Sequence, residues 1–118
     1  MPKVYGLREI ELRRGVDEAE FERFVTEEWY PAWRWPGAGM RLRILRGDRG
    51  NRAGKYLLLL EFDSVEARDR CFPPPGGPSE EFQRRLEAVA KVEAKRAALM
   101  ARGLWTDYVV VDEIGEPK

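Results

Sequence analysis

Along residues 4–13 apolar and polar side chains alternate with a period of two. Val4, Gly6, Arg8, Ile10 and Leu12 fall on one face of a first strand, and Tyr5, Leu7, Glu9 and Glu11 on the other. Gly15 ends it. Asp17 offers a helix cap, and Glu20 completes a capping box that satisfies otherwise unpaired amide donors. The period then lengthens. Phe21, Phe24, Val25, Trp29, Ala32 and Trp33 recur at helical spacing, an apolar stripe suited to packing on a sheet. Pro31 lacks an amide hydrogen and its ring collides with the carbonyl four residues back, so this helix is expected to kink or stop near Tyr30.

Alternation returns over residues 40–46, with Met40, Leu42 and Ile44 set against Arg41 and Arg43. Residues 55–63 form its hairpin partner across a glycine-rich link. A short helix fits residues 65–72, and the run from Pro73 through Pro78 is a stiff, irregular loop. Ser79 caps a long helix over residues 80–102, with Glu80 and Glu81 at its positive end, Lys95, Arg96 and Arg102 toward its negative end, and Gly103 as its stop. Phe82, Leu86, Val89, Ala90, Ala97 and Met100 supply its stripe, and residues 105–114 return as a last strand.

The order βαββαβ predicts an α+β, ferredoxin-like fold: a four-stranded antiparallel sheet with its helices on one face. The other face should then be polar. Instead the third strand reads Leu57-Leu58-Leu59-Leu60, apolar on both faces, and Tyr108-Val109-Val110-Val111 is nearly so. Leaving such side chains wet forgoes about 1.5 to 3 kcal/mol each, so a cover is expected. A second copy stacked sheet against sheet is the simplest one, because twofold symmetry makes one apolar patch complementary to itself. The chain is therefore expected to be a single domain over residues 1–118 that forms a homodimer.

Composition narrows the partners and the chemistry. A chain of 118 residues with 21 basic and 21 acidic side chains has no net field to draw it to nucleic acid or an anionic membrane. No apolar run approaches the length of a membrane span, and the start lacks the apolar region of a signal peptide, which with the lone Cys71 predicts a cytoplasmic protein. Histidine is absent, which excludes histidine-ligated haem or zinc and every histidine-based catalytic triad or general base. No metal or cofactor is expected.

The residues Tyr5-Gly6-Leu7-Arg8-Glu9-Ile10, the helix ending Trp29-Tyr30-Pro31-Ala32, Trp35-Pro36-Gly37 and residues 56–62 together resemble the dimeric α/β-barrel superfamily. That superfamily includes antibiotic-biosynthesis-type monooxygenases, muconolactone isomerases, ethyl-tert-butyl-ether-degradation-type and NIPSNAP-like proteins. The resemblance is architectural, spans nearly the whole chain, and rests on no catalytic signature. It implies a sheet-to-sheet dimer with a cleft for a planar organic molecule. It also implies either cofactor-independent oxygenation or isomerisation of a small aromatic or apolar compound, or a non-catalytic dimerisation or ligand-sensing module.

Candidate site residues follow from both readings. Trp33 and Trp35, in an unusually aromatic helix exit, are candidates to stack on a ligand, against the alternative that they are core anchors. Glu9 and Glu61 are candidate general bases if desolvated, with Arg43 steadying an anion. Cross-strand salt bridging is the alternative for all three. Tyr5 and Tyr56 are candidate phenol donors. The basic hairpin with Arg41, Arg43, Arg46, Arg49, Arg52 and Lys55 raises RNA binding as a lesser alternative, but the third strand carries no stacking aromatics over Leu57 to Leu60.

Overall fold

The computed structural model describes residues 2–115. Its elements run β1 (Val4–Leu12), α1 (Glu18–Phe24), a π-helical segment (Val25–Trp29), α2 (Tyr30–Ala32), β2 (Met40–Arg46), β3 (Tyr56–Phe62), α3 (Val65–Cys71), α4 (Glu80–Ala88), α5 (Ala90–Leu99) and β4 (Met100–Val109). The strands pair antiparallel in the order β2-β3-β1-β4, the α+β, ferredoxin-like arrangement that the pattern predicts.

Register divides the sheet into two chemically different faces. Val4, Gly6, Arg8 and Ile10 stand opposite Phe62, Leu60, Leu58 and Tyr56, and Met40, Leu42 and Ile44 join them from β2. This inner face packs against Phe21, Phe24, Val25, Trp29, Trp33, Phe82, Val89 and Leu99 from the helices, forming the core. The outer face carries Tyr5, Leu7 and Glu9 opposite Glu61, Leu59 and Leu57, flanked by Arg41, Arg43 and Leu45 from β2 and by Thr106 and Tyr108 from β4. No helix covers it. Leu45 is 40% exposed and Tyr108 54%, so the face leaves large apolar surface in water.

Helix formation departs from the sequence pattern in three places. Of the kink or stop expected near Tyr30, the helix does not stop there. It widens into the π-helical segment, where the amide of Tyr30 reaches Val25 O, and this register change accommodates Pro31 before Trp33 N–H returns to Trp29 O at 3.0 Å. Tyr30 ends up with its hydroxyl accepting the Ile44 amide at 2.8 Å, satisfying a donor of the edge strand β2. The long helix expected over residues 80–102 is two helices, broken at Val89, whose side chain is buried at the bend. It also ends early. Met100 pairs with Leu12 and the Arg13 amide bonds Leu99 O at 2.9 Å, so ladder formation overrides helical continuation and β4 begins five residues before the expected Trp105. Gly103 consequently lies in a bulge of β4 against Glu9 rather than at a helix stop. Residues 110–115 lie beyond β4.

Caps differ too. Asp17 occupies the N-cap of α1 but makes no side-chain capping bond, whereas Ser64 and Ser79 each accept an amide at 3.1 Å, from Ala67 and Phe82. Among the described residues no helix is long and apolar enough to cross a membrane. Cys71 is buried at the end of α3, where burial pushes its thiol up and away from the reactive thiolate.

Candidate functional site

Between the helices and the inner face lies a cavity of about 380 Å³ walled by Trp29, Trp33, Leu42, Leu58, Phe82 and Leu86. At Arg8, Phe72 and Arg102 it meets a broader, more open depression of about 710 Å³ along β4. The proline loop after α3 overhangs both parts, with Pro74 and Pro75 over the outer and Pro78 over the inner. We treat the two, which share these lining residues, as one cleft, whose aromatic and aliphatic walls are interrupted by charged side chains in both parts.

Two side-chain networks shape it. Glu93, on α5, accepts the indole N–H groups of Trp29 and Trp33 on the same oxygen, at 2.9 and 3.0 Å. Its other oxygen takes Arg96 Nε at 3.0 Å and faces Arg102 Nη2 at 3.7 Å. The spacing of Trp29 and Trp33 aligns the two indoles toward one acceptor. The second network centres on Arg8. It projects from the inner face of β1 toward Asp107, with Nη1 and Oδ1 separated by 3.7 Å, and both atoms are buried without a hydrogen-bond partner. The other Asp107 oxygen is held by Arg68 at 3.1 Å. The Arg8 guanidinium lies near the rings of Phe72 and Trp105, 5.7 and 5.4 Å from their centroids. Gly6 makes room beneath the pair: a Cβ there would come within 2.8 Å of Asp107 Oδ1 and 3.2 Å of Arg8 Nη1.

Charge at the cleft is unevenly compensated. Burial lowers the Arg8 pKa against the raising effect of Asp107. Arg102 is lowered as well, first by desolvation and then by the neighbouring cation Arg96, although part of its side chain reaches solvent.

The residues singled out from the sequence scatter across the molecule. Trp33 lines the cleft. Trp35 faces a separate shallow depression toward α3, packs on Phe82, and has the Arg85 guanidinium 5.6 Å from its ring. Arg85 in turn holds Ala32 O and Arg34 O at 2.5 and 2.8 Å, fixing the helix exit. Glu9, Glu61, Tyr5 and Arg43 all sit on the outer face, across the sheet from the cleft. Glu61 is buried among Lys3 and Arg41 at 3.4 Å and Arg43 at 3.7 Å, while Glu9 pairs with Arg52 at 3.2 Å. Both carboxylates therefore belong to salt bridges, the alternative that the sequence left open. Tyr56 is core. Its ring meets Phe21 edge-on, its hydroxyl donates to Glu22, and burial together with that carboxylate pushes its pKa up to about 12.

Arg8, Glu93 and Asp107 were not among the candidates, though each leaves a trace in the pattern. Arg8 interrupts the apolar parity of Val4, Gly6 and Ile10. Glu93 falls midway between Val89 and Ala97 on the apolar row of the helix, and Asp107 lies between Trp105 and Val109 on one parity of the last strand.

No protein-family model matches the chain, and no curated protein matches its sequence. Solved structures share its fold. An uncharacterized NIPSNAP-like domain protein from Burkholderia xenovorans aligns over 98% of this chain and 90% of its own, with a TM-score of 0.61 at 18% identity. A dimeric protein of unknown function and ferredoxin-like fold from Bacteroides fragilis NCTC 9343 aligns over 92% of this chain and 96% of its own, with a TM-score of 0.52 at 15% identity. The likeness is one of fold, and it agrees with the architecture that the sequence pattern implied.

Proposed function

We propose that this protein is a homodimer that binds a small planar organic molecule in the cleft between its helices and its sheet. The observation that carries the reading is the cleft itself, in which aromatic and aliphatic walls enclose about 380 Å³, within the size range of small-molecule sites, and open to solvent past a ring of polar groups. Dimerisation rests on the outer face. Leu7, Leu57, Leu59 and Leu45 form its apolar centre, bordered at one end by Glu61 with its cations and at the other by Glu9 with Arg52. Such a patch, apolar at the middle with both signs of charge at its borders, suits a twofold partner. The ferredoxin-like relative from Bacteroides fragilis is itself described as dimeric.

Within this reading the ligand-binding or sensing role is favoured over cofactor-independent oxygenation or isomerisation. Those reactions need a base free to take a proton. The carboxylates lining the cleft, Glu93, Asp107 and Asp69, each face at least one guanidinium, and Glu93 accepts two indoles besides.

Light scattering coupled to size-exclusion chromatography tests the dimer, and tryptophan fluorescence during titration with neutral 2-naphthalenemethanol tests the cleft. Wild type is expected to be a dimer, folded Leu59→Glu a monomer, and Trp33→Ala to bind the alcohol severalfold more weakly. A wild-type monomer at micromolar concentration overturns the dimer, and an unchanged titration in Trp33→Ala overturns the cleft.

A further inference from the structure

We propose that the ligand of this cleft is an organic monoanion, a carboxylate or a comparable oxyanion on a planar apolar body, anchored by Arg8 with its ring against Trp105 and Phe72. The inference rests on the cleft reading above and adds the ligand's charge and orientation to it.

Arg8 is the first observation. An arginine on the buried face of a sheet loses its hydration, a loss that is ordinarily offset by a well-formed carboxylate pair. Here the offset is incomplete. Asp107 approaches Arg8 only to 3.7 Å without a hydrogen bond, and it spends its other oxygen on Arg68. The guanidinium is therefore held between aromatic rings at the junction of the two parts of the cleft with bonding capacity left over.

The charge count is the second. Arg8, Arg68, Arg96 and Arg102 line the cleft against Asp69, Asp107 and Glu93, so four cations face three anions. At Arg102 desolvation lowers the pKa first, and the neighbouring cations Arg96 and Arg8 add to it against the raising effect of Glu93. One negative charge delivered by a ligand would balance the set. A dianionic phosphate would overshoot it, and the apolar walls offer such a group little else.

Trp105 is the third. It stands on the inner face of the edge strand β4, lines the mouth of the cleft, and is 60% exposed, with the Arg8 guanidinium against its ring. A tryptophan exposed in this way beside a cation presents a stacking surface to a flat molecule whose acidic group reaches the cation.

The test compares a matched pair of probes, 2-naphthoate and the neutral 2-naphthalenemethanol, by isothermal titration on wild type and on Arg8→Met. Wild type is expected to bind the acid at least about tenfold more tightly than the alcohol, the scale of a charge-assisted hydrogen bond. Added salt should weaken only the acid. In Arg8→Met the preference should vanish, the acid falling to the level of the alcohol measured on the same variant. Equal binding of the two probes by wild type overturns the anion while leaving the cleft standing, and needs no variant. A preference that survives in Arg8→Met overturns the assignment to Arg8. Failure of both probes to bind wild type overturns the cleft reading and this inference with it.

Discussion

Removing the Glu93 carboxylate should cost more than any other single change in the polar lining of the cleft. Its oxygens accept two indole N–H groups and one guanidinium N–H, at 2.9 to 3.0 Å, and face a second guanidinium at 3.7 Å. Trp29 and Trp33 are both buried, so in Glu93→Ala their indole donors lose their acceptor in a poorly hydrated place. An unsatisfied buried donor costs about 1 to 3 kcal/mol, and stripping a half-buried charge from its partners adds to that. The expected destabilisation is about 3 to 5 kcal/mol. Glu93→Gln should lose roughly half as much, because its carbonyl oxygen still serves the indoles while its amide meets the Arg96 and Arg102 donors head-on. Urea unfolding followed by circular dichroism and tryptophan fluorescence, at one fixed protomer concentration, reads both values from the shift in midpoint at constant slope. Loss of less than about 1 kcal/mol in Glu93→Ala would refute the reasoning, since it would mean that water replaces the carboxylate freely and that the cleft is wet to its floor.

Tyr56 makes alkaline stability depend on one phenol. Its folded-state pKa of about 12 lies above the unfolded value near 10, so the folded state keeps the proton longer. Stability from this group is full below about pH 10 and falls as pH rises toward 12, by about 2 to 3 kcal/mol in all. Tyr56→Phe should flatten that part of the pH profile and remove a tyrosinate absorbance step near pH 12, and an unchanged profile would refute the assignment. Gly6→Ala meets only the ends of the Asp107 and Arg8 side chains at close range, so its effect on the unfolding midpoint should be small, within about 1 kcal/mol. It should nevertheless disturb the Arg8 anchor and weaken 2-naphthoate binding severalfold relative to the alcohol. Equal acid preference in the variant and wild type would argue against that coupling.

Much of the fold was legible because sheet parity and helical spacing are properties of the chain alone. The alternation in residues 4–13 already separated Val4, Gly6, Arg8 and Ile10 from Tyr5, Leu7 and Glu9, and the register keeps that division. What escaped were outcomes of competition between local and tertiary terms. Residues 100–102 satisfy a helical stripe as well as a strand, and only pairing with Leu12, Glu11 and Ile10 decides for the strand. Asp17 and Glu20 satisfy a capping-box spacing, yet the bond did not form, while Ser64 and Ser79 capped as hydroxyl residues do. Pro31 predicted a kink or a stop near Tyr30 without choosing between them, because the π-register that bypasses it is fixed by where Tyr30 and Trp33 must go, not by the proline itself.

The candidate site shows why parity matters more than residue type in such a sheet. Glu9 and Glu61 drew attention as possible general bases on apolar strands, and Arg43 as a cation to steady an anion, but all three share the outer parity. One position along β1, Arg8 belongs to the opposite face and reaches a different set of partners. Since successive side chains alternate faces, one strand supplies both the ion-paired border of the proposed dimer face and the under-compensated cation of the proposed ligand site. The two surfaces lie back to back on the same strands, which makes them separable by substitution. Leu59→Glu should break the dimer with the naphthoate preference retained in the folded monomer, and Arg8→Met should abolish that preference in an intact dimer. If either change removed both properties, the sheet would be transmitting between its faces, and each face could no longer be read by itself.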